Sequence, residues 1–100
     1  MNIDISKNFV DLEGNIIKAV TGKDATLKGV IIDALVANYE DEKNLSGEEK
    51  VKRWNLALEL TKADNEIDIS IENISMIKKL VGKAYGVLVV GQALNMLEGK

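Results

Sequence analysis

Three hydroxyl residues partition this chain. Thr26, Ser46 and Ser70 each stand just before a run whose apolar residues recur every three or four positions. A serine or threonine in that place accepts a hydrogen bond from a backbone N–H of the first helical turn, so the chain beyond residue 26 is expected to fold as successive short helices. The first carries Leu27, Val30, Ile31, Ala34 and Leu35 as one stripe and stops near Asn38. Ser46-Gly47-Glu48-Glu49 reads as a capping box, with the Glu49 carboxylate returning a bond to the Ser46 amide. The second helix then runs to Ala63, with Val51, Trp54, Leu58 and Leu60 expected inward and Glu48/Lys52 and Glu49/Arg53 as i,i+4 ion pairs. Ser70 opens the third helix, where Ile69 and Ile74 form a hydrophobic staple that fixes the entry angle of the chain. Ile74, Ile77, Val81 and Ala84 are its expected buried face, and Lys78, Lys79 and Lys83 its solvated one.

Gly86 separates that helix from a last one, Val87 to Leu97, which is apolar on nearly every side. Water should touch little of such a helix. It is either central to the monomer or shared with a partner. Tyr85, Val89, Val90, Leu94 and Leu97 are accordingly the candidate protein-interface residues. Trp54 shares a stripe with Val51 and Leu58, which favours core packing over an interface role. Tyr85, at a helix end, fits either.

Ahead of the helices, Phe9 to Leu12 and Ile16 to Val20 are β-prone runs separated by Glu13-Gly14-Asn15, the turn chemistry of a β-hairpin. Ile3 and Ile5 are read as extending its first strand, and Ile67-Asp68-Ile69 as one more short extended piece. A lone two-stranded hairpin is marginal in water, so it must lie on helices or on a second copy of itself. The fold expected is α+β and mostly α: an N-terminal hairpin region over residues 1–21, packed on a bundle of about four helices over residues 26–98. One hundred residues is the size of a single domain, and no internal repeat, proline or low-complexity tract marks a boundary.

Composition decides mainly what to exclude. The chain has no cysteine and no histidine, which removes thiolate nucleophiles, disulfides, cysteine-ligated zinc and the commonest general base. No catalytic residue, metal site or cofactor is expected, and the chain is read as not an enzyme. Net charge is −3, so the basic footprint of a nucleic-acid binder is missing in bulk. Lys78, Lys79 and Lys83, with Lys50, Lys52 and Arg53 as a second group, are the residues a nucleic-acid-binding regulator would use; solvated helix faces are the default reading. The first residues lack a basic segment followed by an apolar one, and no apolar stretch approaches the ~20 residues of a membrane span. A cytoplasmic, membrane-free protein is expected.

Other motifs fail on inspection. Asp64-x-Glu66-x-Asp68 starts like a calcium loop, but Ile69 and Ser75 stand where glycine and a bidentate glutamate are needed. Gly86 to Gly91 has phosphate-loop spacing without the lysine and hydroxyl that should follow. Gly82 and Gly86 are read as points of close helix approach or a break. Glu40-Asp41-Glu42 is read as part of a solvated, mobile loop.

Three stretches taken together carry a resemblance: Asp11-Leu12-Glu13-Gly14-Asn15-Ile16, then Asn44-Leu45-Ser46-Gly47-Glu48-Glu49-Lys50-Val51-Lys52-Arg53, then Ile77 to Tyr85 running into Val89-Val90-Gly91-Gln92-Ala93. In order and wording they resemble a group of small uncharacterised proteins encoded by tailed bacteriophages and prophages, over most of the chain from Asp11 onward. The shared residues are caps and packing positions, so the resemblance implies a phage setting and brings no chemistry. In that setting the expected role is a non-catalytic protein-interaction module, such as an inhibitor of a host defence or host enzyme. The alternatives are a tail-assembly chaperone or morphogenesis accessory protein, and a nucleic-acid-binding regulator. The partner is a host or phage protein, with homo-oligomerisation open.

Overall fold

The computed structural model describes residues 1–99 and contains, in chain order, β1 (Asn2–Asp4), α1 (Leu27–Val36), a 3-10 turn (Glu40–Glu42), α2 (Gly47–Lys62), β2 (Glu66–Asp68), α3 (Ile71–Ala84) and α4 (Val87–Leu97). The expected class holds: four helices with a small antiparallel β component at the N-terminus packed against them. Each hydroxyl cap works as its chemistry requires. Thr26, Ser46 and Ser70 accept from the backbone N–H of Gly29, Glu49 and Asn73 at 3.2, 3.1 and 3.1 Å.

α1 is the centre, packing on α2 and α3, while α4 lies against α3 and β1. The core is aliphatic around one aromatic, with Ile5, Phe9, Leu27, Ile31, Leu60, Ile77, Leu80 and Leu97 sealed from solvent. The staple residues Ile69 and Ile74 are both buried. Ala84 is exposed, and Leu80 takes the inward place assigned to it. Lys28 reaches across to the end of α2, donating to the Ala63 and Thr61 carbonyls at 2.7 and 3.2 Å. These are carbonyls that the helix leaves unpaired, at the end where a cation suits the dipole.

The N-terminal region differs from a plain hairpin in two ways. Ile3 does not extend a strand toward Phe9; it pairs with Ile67, so β1 and β2 form an antiparallel sheet across the whole sequence. Residues 8–26 form a compact unit of three bridges, Asn8↔Thr26, Val10↔Ile16 and Lys18↔Asp24. Its backbone bonds close a ring: Ile17 N–H donates to Phe9, Ala25 to Ile17, and Phe9 to Ala25. The three residues are eight apart, and two loops of identical pattern join them. Asp11 N–H donates to Asn15 and Gly14 N–H to Asp11; Ala19 and Lys23, with Gly22, repeat both bonds. Gly14 and Gly22 hold φ of 89° and 86° at the same loop position, which only glycine adopts readily. An eight-residue structural repeat therefore exists, contrary to the expectation of none, and has its trace in the sequence as Phe9/Ile17, Leu12/Val20 and Gly14/Gly22. It satisfies the backbone groups that a buried Phe9 would otherwise strand.

Candidate protein-interaction surfaces

α4 docks on the N-terminal unit through one side chain. The Gln92 amide accepts from Val10 N–H at 2.9 Å and donates to Val10 C=O at 2.8 Å, completing the bonds a neighbouring strand would make. It also donates to Leu88 C=O at 2.9 Å, which locks the amide against its own helix. This fixes Val10, Leu88 and the start of α4 side by side. Between the second loop, α1 and the start of α4 lies a groove of about 440 Å³, lined by Phe9, Ile17, Val20, Val30, Tyr85 and Val89 among others. The Tyr85 hydroxyl is 3.4 Å from the Asp33 carboxylate. Burial, then that charge, pushes the Tyr85 phenol up to about 12, so it stays neutral and a donor.

Several apolar side chains are left in water, and one of them, Val20, lines this groove. Leu12 and Val20, at the tips of the two loops, are 96% and 108% exposed, and Val87 is 92% exposed. Of the five candidate residues on the last helix and its approach, the structure divides the set. Leu97 is completely buried within the monomer, so it has no surface to offer and is not an interface residue. Tyr85, Val89 and Val90 are half-buried against the core, and Leu94 is half-buried too. The exposed apolar positions of α4 are Val87 and Leu88.

Of the inward face expected for α2, Leu60 is buried and the other three residues are not. Arg53, Leu56, Ala57 and Leu60 are buried, whereas Val51, Trp54 and Leu58 lie outside, Trp54 at 58% exposure. Both sets have helical spacing, and an ion pair decides between them. Arg53 donates to both Glu42 carboxylate oxygens at 2.8 and 2.6 Å and is only 7% exposed. Its hydrogen bond, then its charge, holds the Glu42 carboxyl down at about 2. Lys83 joins the group at 3.0 Å from Asp41 and 3.6 Å from Glu42, with its ammonium 5.4 Å above the Tyr39 ring. The Tyr39 hydroxyl donates to Ala34 C=O at 2.7 Å. The acidic turn at 40–42 is thus a clamp between α1, α2 and α3, rather than a free loop. Glu49 lies 3.9 Å from Arg53 Nε, as the i,i+4 spacing predicts. No ion pair joins Glu48 to Lys52 among the described residues.

The basic clusters lose much of their charge to neighbours. Lys83 is held by Asp41 and Glu42, Lys78 by Glu98 at 3.0 Å, and Arg53 by Glu42. A Cβ at Gly82 or Gly86 would meet nothing within 4 Å, so neither serves close helix approach; Gly86 marks the break before α4. Among the described residues no group of three or more acidic side chains is placed to hold a metal ion. No helix is long and apolar enough to cross a membrane. The sequence and fold match no family model, no curated protein and no solved structure.

Proposed function

We propose that this chain is a phage-encoded, non-catalytic protein-interaction module that acts by covering a partner's surface, as an inhibitor of a host defence or host enzyme would. The observation that carries the reading is the placement of Leu12, Val20 and Val87 almost wholly in water, with Val20 at the edge of a largely apolar groove. Exposed apolar residues grouped beside a concavity are the usual mark of a contact surface. The titratable groups support a binding role over a catalytic one. Glu42 is held ionised in an ion pair, and Asp4 and Asp11 are lowered by hydrogen bonds from Ser6 and Asn15. None of these is raised toward the neutral range where a general acid or base works.

A photo-crosslinking side chain at position 20 or 87 tests the reading. In lysate of the producing cell, and of that cell under phage infection, both positions should yield one and the same adduct. Position 72, on the outer face of α3, should yield none, and Val87→Asp should abolish the adduct formed from position 20. Equal labelling from positions 20 and 72 would remove the basis for a contact surface here.

A further inference from the structure

α2 has a second apolar stripe, and the charges beside it say what covers it. At about 100° per residue, Val51, Trp54 and Leu58 lie roughly 140° round the helix from the buried face. With Gly47 and Thr61 they continue a four-three spacing along the outside of α2, the spacing of a helix-pairing seam. Val36, exposed at the end of α1, shares a groove of about 520 Å³ with Trp54.

One flank of the seam reads Glu48, Asn55, Lys62, seven residues apart each time. All three are exposed, and neither charge has an ion-pair partner among the described residues. In an antiparallel pair of identical helices this flank faces itself in reverse order. Glu48 then meets Lys62 of the second copy, Asn55 meets Asn55 on the two-fold axis, and Lys62 meets Glu48. In the same register position 51 faces position 59, one residue from Leu58, and Trp54 faces position 56, midway between Trp54 and Leu58 of the second copy. Lys52 and Glu59, one step further out, also face each other in it to within a residue. A parallel pair sets the flank against the other side of the helix, where Lys50 and Ala57 lie, and every one of these oppositions is lost.

We infer that the outer face of α2 is a self-association surface, on which a second copy of this chain docks antiparallel through Val51, Trp54 and Leu58 with Glu48 and Lys62 setting the register. Charge at such flanks fixes partner and orientation, while the apolar seam supplies affinity. The surface is separate from the hairpin and α4, so either can fail without the other.

Trp54 is the chain's single tryptophan, so its fluorescence reports this face alone. Sedimentation velocity across about 1–200 μM, the range in which a small interface dissociates, should show a monomer passing to a dimer while the emission maximum moves to shorter wavelength. Trp54→Ala should weaken the dimer about 30-fold or more, as truncating an interface anchor does. Glu48→Lys and Lys62→Glu, both on exposed positions that leave the fold intact by circular dichroism, should each be monomeric alone and form a heterodimer when mixed. A monomer with long-wavelength emission throughout overturns the inference and leaves the stripe to a different protein. A dimer insensitive to Trp54→Ala overturns it too, as do charge variants that self-associate like the parent.

Discussion

Arg53 decides more than any other residue how α2 sits. Its guanidinium is buried beside Glu42, and the pair holds the 40–42 turn against α2 while Lys83 adds α3 to the same cluster. A buried charge left without its partner is costly, about 3–5 kcal/mol, whereas replacing both members by apolar groups is often nearly neutral. Glu42→Ala should therefore destabilise by about 3 kcal/mol in urea, and Glu42→Leu with Arg53→Met should recover most of it. The same pair has a pH signature. The Glu42 carboxyl titrates near 2 when folded against 4.5 as a free group, so its contribution is complete above pH 4.5 and fades as the pH falls toward 2. Urea midpoints measured from pH 7 down to 2.5 should fall through that window, and Glu42→Gln should remove its share of the slope. A parent curve flat from pH 5 to 2.5 contradicts the pairing. Nothing local marks Arg53 as an inward residue, because its partner is eleven positions away across a turn.

At the scale of elements, whatever is fixed by neighbours within one turn is legible in the sequence. The caps at Thr26, Ser46 and Ser70, the staple of Ile69 with Ile74, and the break at Gly86 are local chemistry, and all stand in the structure. Which side of α2 turns inward is not local. Val51-Trp54-Leu58 and Leu56-Ala57-Leu60 have equal claims by spacing, and what separates them is tertiary: the Arg53–Glu42 pair together with packing against α1. The β1–β2 pairing escapes for the same reason, since Ile3 and Ile67 carry no mark of each other. The link between α4 and the N-terminal unit was equally hidden, because a glutamine on a helix surface usually serves solvent. Here the Gln92 amide replaces a strand. Gln92→Leu leaves Val10 without its two partners and should cost about 1–2 kcal/mol. Hydrogen exchange locates the effect: the Val10 amide should exchange faster, while those of α1 keep their protection. Unchanged exchange at Val10 would mean that the amide bond does not hold the two elements together.

Taken whole, the molecule separates the apolar residues that make the fold from those that do not. Phe9 and Val20 lie in the same eight-residue-repeat unit, one fully buried at the centre of the ring and the other fully exposed at a loop tip. Helical and β periodicity treat them alike, which is why the last helix looked like the place where apolar surface exceeded shelter. β1, α3 and the N-terminal unit cover that helix only in part: Ala93 and Leu97 are buried, Val89, Val90, Leu94 and Met96 half-buried, and Val87 and Leu88 exposed, while further apolar surface lies open on the loop tips and the outside of α2. If those positions serve contacts with other molecules, making them polar should leave stability alone. Leu12→Ser, Val20→Thr and Val87→Gln together should keep the urea midpoint, since exposed sites usually count for less than about 0.5 kcal/mol each. Phe9→Ala, in the same unit, should cost about 3–5 kcal/mol through the cavity it leaves. A triple variant that unfolds as readily as Phe9→Ala would show that the loop tips belong to the core, and the contact surface would have to be sought elsewhere.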